Sequence, residues 1–299
     1  MNREQGGSET LSNRLRSVAR PTKPWRSLAQ AIAPDFFDWF RSYRQRKWFC
    51  KQFKFDQRIF RVAFYPENMT PEVLTGPFRG MKYLDEIVWG PITPKWAGAY
   101  EMELADIVAG IPGVGYDRIV NIGSAEGYYV VGLALLDRKA DLLAFDRDPF
   151  ARRQLKRLAE LNGVSERVRI AGNCTHSTLN EAIRGKVLVI CDVEGFEIAL
   201  MDPDKAPALR AADLLIEIHE EPAGGGIGVV EDLIARRFSS SHTIERRVSF
   251  GREAWMEQHS AVWESRVSRA RIAKSLDEAR IGLQAWLWAR RRHSACTAL

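Results

Sequence analysis

Asp192, Glu194 and His219 are three ionisable residues that each follow closely on an apolar stretch of the sequence. The stretches Val187–Cys191 and Asp213–Ile218 have the length and apolar content of buried strands. Ligands of open α/β sheets bind at the carboxyl ends of the strands, so we expect the three side chains to share one site. A carboxylate or a histidine at such a site can remove a proton from a substrate.

The same three residues leave other interpretations open. Together they could bind a hard divalent cation, although we favour a site without a metal. Glu194 could instead be a first-turn carboxylate of a short helix that begins near Phe196. His219 could be a loop or helix-capping residue.

A glycine turn with a carboxylate further along forms a second group. Gly123 and Gly127 lie between a predicted strand at 118–123 and a predicted helix, and Asp146 ends the predicted strand at 142–146. A glycine loop followed at this distance by a strand-terminal carboxylate is typical of a nucleoside-binding βαβ unit. We therefore expect Asp146 to accept hydrogen bonds from ribose hydroxyl groups.

The glycine loop also discriminates between nucleoside cofactors. A pyrophosphate-binding loop has the pattern G-x-G-x-x-G, whereas this chain has only Gly123 and Gly127 in G-x-x-x-G. Glu126 at the start of the helix complements the helix dipole but would repel a pyrophosphate. The loop therefore disfavours NAD and FAD. It favours S-adenosyl-L-methionine (SAM), which has a cationic sulfonium group and a zwitterionic amino acid end.

About a third of the chain, from Val120 to about Glu220, resembles the class I SAM-dependent methyltransferases and, within them, the FkbM-type family. The resemblance is carried by four segments: Asn121-Ile122-Gly123-Ser124-Ala125-Glu126-Gly127-Tyr128, Ala144-Phe145-Asp146-Arg147, Asp192-Val193-Glu194-Gly195-Phe196-Glu197 and Glu217-Ile218-His219. The third matches the family's D-V-E-G-x-E without a change. In the first, Asn121 replaces the usual Asp and gives only neutral hydrogen bonds.

The resemblance implies a fold, a reaction and a set of site residues. The fold is a Rossmann-like α/β fold with a mostly parallel seven-stranded sheet and helices on both faces, plus a basic, aromatic N-terminal extension. The reaction is methyl transfer from SAM to a hydroxyl of a small metabolite or sugar. We expect Asp192 near the methionine part of SAM and the acceptor, with His219 or Glu194 as the base. The residues expected to bind the cofactor are Asn121, Gly123, Ser124, Glu126, Gly127, Tyr128, Asp146, Arg147, Asn173 and Asp192.

Predicted strands and helices alternate after residue 99, which indicates a mostly parallel sheet covered on both faces. Further predicted elements are helices at 99–111, 126–136, 149–161 and 227–236, a strand at 168–171, and a final antiparallel pair at 242–249 and 260–264. We expect a core domain at 81–264. It is preceded by the extension at 1–80, of which about the first 30 residues are predicted to be disordered, and followed by a basic helix and tail at 265–299.

Charge is unevenly distributed along the 299 residues, whose net charge is +6. Residues 1–61 contain 14 Lys/Arg and 5 Asp/Glu, residues 265–292 contain 8 and 2, and the middle is acidic. Basic flanks could bind nucleic acid, an anionic membrane or the acidic middle itself. An RNA-binding or RNA-modifying protein is therefore a second interpretation. A non-catalytic methyltransferase-like module, suggested by Asn121, is a third.

The aromatic residues at 36–61 could stack on single-stranded nucleic acid, lie on a membrane or pack on the core, which we favour. The four cysteines show neither metal-ligand nor disulfide spacing. There is no apolar signal core, and no run approaches the roughly 20 apolar residues that span a bilayer. We therefore expect a cytoplasmic protein of undefined oligomeric state.

Overall fold

The apolar stretches of the sequence form one seven-stranded sheet. The computed structural model describes residues 34–219, 226–280, 282 and 284–292, with side chains from residue 42 onward. The segment predicted to be disordered lies outside these residues, as do Gly224 and Gly225 of the glycine run after His219. The strands are β1 (Arg118–Ile122), β2 (Asp141–Phe145), β3 (Val168–Ala171), β4 (Val187–Cys191), β5 (Asp213–Ile218), β6 (His242–Val248) and β7 (Ala285–Arg291).

The strand order is β3-β2-β1-β4-β5-β7-β6. Strands β1 to β5 pair in parallel, in the order of a doubly wound sheet. Strand β7 lies between β5 and β6 and is antiparallel to both, so the other six strands share one direction. The prediction of an α/β fold with a mostly parallel, seven-stranded sheet is therefore confirmed, with one strand reversed.

Helices connect the strands and precede the sheet. The α-helices are α1 (Pro34–Phe64), α2 (Thr93–Ala97), α3 (Ala105–Val114), α4 (Tyr128–Leu136), α5 (Pro149–Leu161), α6 (His176–Ala182), α7 (Glu197–Leu200), α8 (Ile227–Phe238), α9 (Glu253–Gln258), α10 (Ser260–Trp263) and α11 (Arg269–Ser275). Short 3-10 helices cover Met102–Leu104, Ser165–Arg167 and Pro207–Ala211. Helix α5 has the predicted bounds: Asp148 caps it by accepting a hydrogen bond from the Phe150 amide, and Pro149 opens it.

The core lies on both faces of the sheet, because alternate strand residues point to opposite sides. On one face, Val120, Val189 and Leu214 pack with residues of α6 and α8. On the other face, Ile119 and Leu188 are fully buried, and α4 packs on β1 and β2. This two-sided burial fixes the strands, and with them the positions of the side chains at their carboxyl ends.

The predicted antiparallel pair of 242–249 with 260–264 is wrong. Strand β6 pairs instead with β7, and residues 260–263 form helix α10. The prediction of only a helix and tail over 265–299 is also wrong for Ala285–Arg291, whose first five residues are buried in the sheet. Arg290 and Arg291 at the end of this strand, with Arg292 after it, are typical of a solvated tail, whereas the aromatic and aliphatic residues before them favour a strand.

Residues 36–61 are helical throughout, because α1 continues through the whole segment. The spacing of Phe49 and Phe53, whose ring centroids are 6.0 Å apart, is that of helical i, i+4 neighbours. The chain divides into two units, residues 1–55 and residues 56–299. Within the first, the Trp48 ring contacts those of Phe49 and Phe53. The favoured packing of these aromatic residues on the core stays a prediction.

Among the described residues, no helix combines the length and the apolar content that crossing a membrane requires.

Candidate active site

The glycine loop after β1 is held at the carboxyl edge of the sheet. The amides of Gly123 and Ser124 both donate to the Phe145 carbonyl, at 2.9 and 3.0 Å. Gly123 has a φ of +77°, and a Cβ atom there would lie 1.5 Å from the Asp192 carbonyl oxygen. Only glycine fits this position, because the end of β1 contacts the backbone at the end of β4. The predicted strand at 118–123 therefore ends one residue earlier than expected.

Substitution of Gly123 by Ala is expected to destabilise the fold. The left-handed conformation alone costs a residue with a side chain about 1–2 kcal/mol, and the contact with the Asp192 backbone adds to this cost. Gly163→Ala is the matched control, because Gly163 also has a positive φ, +68°, but has no atom within 4 Å of the added Cβ. Urea unfolding should show a larger loss for Gly123→Ala. Equal losses would contradict the close backbone approach.

Asp146 lies beside the glycine loop, as predicted. Its carboxylate accepts hydrogen bonds from the amides of Ala125 and Asp148, both at 2.8 Å. Burial raises the pKa of Asp146 to about 6, although these two hydrogen bonds lower it. Each carboxylate oxygen has further lone pairs, so the group can stabilise the loop and still accept hydrogen bonds from a ligand. Arg147 and Asn173, at the ends of β2 and β3, are exposed.

Glu126 is buried against two residues that the sequence did not indicate. Its Oε1 atom accepts a hydrogen bond from the Tyr83 hydroxyl at 2.7 Å and forms an ion pair with Lys95. Its Oε2 atom is buried without a hydrogen-bond partner among the described residues, as is the Ser124 hydroxyl. Two polar atoms of this loop therefore have unused hydrogen-bonding capacity.

Two other predicted cofactor residues belong to the interior. Asn121 is buried within β1, where it lies between Ala144 of β2 and Ile190 of β4. Tyr128 is buried among other rings, with centroids 5.0 Å from Phe78 and 5.3 Å from Tyr100. Asn121 and Tyr128 therefore pack in the interior, just before and just after the glycine loop in the sequence.

Asp192, Glu194 and His219 lie together at the ends of β4 and β5, as their spacing predicted. The His219 Nε2 atom is 3.8 Å from Asp192 Oδ1 and 3.7 Å from Glu194 Oε2. Glu194 has a left-handed φ of +52° and an 80% exposed side chain. Asp192 Oδ1 is buried and accepts no hydrogen bond from a described residue.

Glu197 is the nearest partner of His219, and sequence analysis did not name it as a site residue. Its fully buried carboxylate lies 2.8 Å from His219 Nδ1. It also accepts hydrogen bonds from the amides of Val193 and Gly195. Glu197 therefore connects the turn after β4 to the histidine after β5. The signal was present in the sequence, as the last acidic residue of D-V-E-G-x-E.

A buried ion-pair network continues from His219 toward the C-terminal part of the chain. Glu217 Oε2 lies 3.8 Å from His219 Nε2, and its other oxygen forms an ion pair with Arg280. Arg280 also forms ion pairs with Glu101 and Glu278. Sequence analysis missed the network, because its members come from distant segments with no shared motif.

The protonation of the cluster follows from these contacts. Burial lowers the pKa of His219, but the hydrogen bond to Glu197 and the charges of the other carboxylates outweigh it and raise that pKa to about 11. Burial raises the pKa of Asp192 to about 7, although the positive charge of His219 lowers it. At neutral pH, His219 is therefore an imidazolium, and Asp192 is present in both its protonated and its ionised form.

A metal ion is a weaker explanation of this cluster. Asp192, Glu197 and His219 offer ligand atoms within 4.8 Å of one another. The closest pair, His219 Nδ1 and Glu197 Oε1, is already accounted for by a hydrogen bond at 2.8 Å. The absence of a metal stays a prediction.

Comparison with known proteins gives matches only among solved structures. A SAM-dependent methyltransferase from Thiobacillus denitrificans, in complex with S-adenosyl-L-homocysteine, is 14% identical with a TM-score of 0.39 over 64% of this chain and 92% of that chain. A SAM-dependent methyltransferase from Geobacter sulfurreducens, in the same complex, is 13% identical with a TM-score of 0.41 over 79% of this chain and 98% of that chain.

No protein-family model matches the chain, and no curated protein does either. The resemblance to the FkbM-type family therefore stays a prediction.

Proposed function

We propose that this protein is a SAM-dependent methyltransferase of the FkbM type that methylates a hydroxyl group of a small metabolite or sugar. The proposal depends above all on one observation: the glycine loop and the cluster at Asp192 share one edge of the sheet. The backbone of Gly123 touches that of Asp192 there. A cofactor whose nucleoside is bound at the loop would thus extend to ionisable groups that can act on an acceptor.

The residues at this edge fit SAM better than a dinucleotide. Three buried polar atoms there have no hydrogen-bond partner in the described part of the chain: Ser124 Oγ, Glu126 Oε2 and Asp192 Oδ1. Buried polar atoms are normally hydrogen-bonded, so these three are available to a bound ligand. Two of the three are carboxylate oxygens, which suit the cationic sulfonium and amino groups of SAM. They would oppose a pyrophosphate.

Some of these residues would bind the cofactor, and others would act on the acceptor. Asp146 would accept hydrogen bonds from the ribose hydroxyls, and Ser124 and Glu126 would bind the amino acid end. When bound, SAM supplies the methyl group. Asp192, which contacts the loop through its backbone and His219 through its side chain, would lie between the two ligands.

A carboxylate is the better base for the acceptor proton. His219 already carries both ring protons at neutral pH, whereas Asp192 has a pKa of about 7, close to the value that favours proton transfer at that pH. We therefore assign the role of base to Asp192. The exposed Glu194 is the other carboxylate considered for this role.

The charge of the site favours a small acceptor over a nucleic acid. Asp192, Glu194, Glu197 and Glu217 surround His219 within 4 Å. His219 and Arg280, which pairs with Glu217, do not balance these four carboxylates, so phosphate groups of an RNA acceptor would be repelled. Neutral hydroxyl groups bind carboxylates without such a penalty.

Isothermal titration calorimetry with SAM and S-adenosyl-L-homocysteine tests the proposal. We expect one binding site for each, and about tenfold weaker binding by Asp146→Asn, because a hydrogen bond to a charged group contributes about 1.5–3 kcal/mol. Asp204→Asn is the matched control and should bind as the wild type does, because Asp204 is exposed and pairs with Arg210. A folded wild-type protein that binds neither compound would refute the proposal.

A further inference from the structure

The carboxylate of Glu197 determines which nitrogen of His219 carries a proton. It accepts hydrogen bonds from two backbone amides, Val193 and Gly195. A carboxylate whose oxygens already accept N–H groups also acts as an acceptor toward the ring, so the Nδ1 atom 2.8 Å away is the donor. The ring is thereby oriented with Nε2 toward Asp192, Glu194 and Glu217.

The surroundings of Nε2 differ from those of Nδ1. Oxygens of Asp192, Glu194 and Glu217 lie 3.7–3.8 Å from it. This distance is too long for a hydrogen bond, yet close enough for the negative charge of these carboxylates to favour a proton on Nε2. A lone pair on Nε2 would face three carboxylates, whereas an N–H group there has no direct hydrogen-bond acceptor among the described residues.

We infer that Glu197 holds His219 as an imidazolium whose Nε2–H group donates a hydrogen bond to the acceptor oxygen and does not remove its proton. The part of this inference that concerns the acceptor rests on the proposed function. Glu197 is then a positioning residue, which acts on the reaction through His219.

The geometry also defines the chemistry of the group that binds there. A group that bridges Nε2–H and the oxygen of Asp192, which are 3.8 Å apart, must accept one hydrogen bond and donate another. A hydroxyl group or a neutral amine does both, whereas an ammonium group has no lone pair to accept with. The site thus favours a neutral hydroxyl or amine over an ammonium group.

The carboxylates around His219 all favour its protonated form. They come from the end of β4 (Asp192), the turn that follows (Glu194), helix α7 (Glu197) and strand β5 (Glu217). Arg280 forms an ion pair with the other carboxylate oxygen of Glu217 and so neutralises part of the Glu217 charge. The raised pKa of His219 agrees with this arrangement.

Nuclear magnetic resonance of the full chain with 15N-labelled histidine tests the inference without any ligand. The spectrum of His219→Gln, which lacks one signal, identifies His219 among the five histidines. In the wild type we expect both ring nitrogens to stay protonated from about pH 6 to about pH 9. In Glu197→Gln we expect the pKa of His219 to fall by more than about one unit. Glu181→Gln, at an exposed position, should leave it unchanged.

A neutral, singly protonated His219 at pH 7 in the wild type would overturn the inference, and so would an unchanged titration in Glu197→Gln. If that variant does not fold, Glu194→Gln at an exposed position gives the same test with a smaller fall. Calorimetry with SAM can fail while this titration succeeds, so the two proposals are tested separately.

Methyl transfer gives a second readout. His219→Gln, which keeps an N–H donor, should retain at least about tenfold more activity than His219→Ala, since one hydrogen bond to the reacting group is at stake. If His219 were the base, both variants would lose activity equally, and that result would also overturn the inference.

Discussion

Replacement of Arg280 by Met should lower the free energy of unfolding by about 3–5 kcal/mol, the usual result of removing one partner from a buried ion-pair network. Arg280 lies among Glu101, Glu217 and Glu278, whose side chains are 1–4% exposed. Methionine fills a similar volume but removes the ion pair of all three carboxylates with Arg280, so that, among the described residues, Glu217 keeps only His219 and Glu278 only Arg252. Urea unfolding monitored by tryptophan fluorescence measures the loss.

The pH dependence of this loss has a defined sign. Burial, together with the charge of Asp192, already raises the pKa of Glu217, and Arg280 opposes the rise. Without Arg280 the folded variant binds more protons than the unfolded chain, so its deficit should shrink as the pH is lowered from about 8 to about 5. Arg210→Met, which removes an exposed pair with Asp204, should cost less than about 1 kcal/mol. Similar losses for the two variants would contradict the network.

Replacement of Asp192 by Asn should reduce methyl transfer at least about a hundredfold, the usual minimum contribution of a general base. The amide has nearly the shape of the carboxylate but cannot take up the acceptor proton. Activity is measured as S-adenosyl-L-homocysteine released from SAM, with a small-molecule cell extract as the source of acceptor. SAM binding should weaken but persist, because the variant loses one carboxylate that faces the cationic groups of SAM while the backbone contact with Gly123 is unchanged.

Asp204→Asn serves as the matched control and should keep wild-type activity, since Asp204 is exposed and pairs with Arg210. An Asp192→Asn variant with activity within about threefold of the wild type would remove Asp192 from the role of base. Loss of SAM binding in the same variant would assign Asp192 to the cofactor instead.

The parallel part of the sheet could be predicted from sequence because each strand is locally apolar. Strands β3, β4 and β5 have the predicted bounds. Residues next to strand ends were also predictable: Asp192 and His219 adjoin recognisable strands, and parallel strands end at one edge. The order of the strands and the edge they share follow from general rules of the fold.

The ion pairs of the site could not be predicted in this way. Glu101 and Arg280 lie 179 positions apart, and neither belongs to a repeated or spaced pattern. A charged residue in a sequence is usually exposed, and only the folded chain shows that these are buried and paired. Strand β7 was missed for a different reason: its C-terminal arginines outweighed an apolar start that favours a strand.

The position of β7 has a consequence for how the chain reaches its native state. Strand β6 is made before β7, yet in the described sheet it pairs with β7 alone. A chain still emerging from the ribosome therefore exposes the edges of both β5 and β6 until residues 285–291 appear. Unpaired strand edges promote aggregation. The chain is therefore prone to aggregate during synthesis until β7 inserts between β5 and β6.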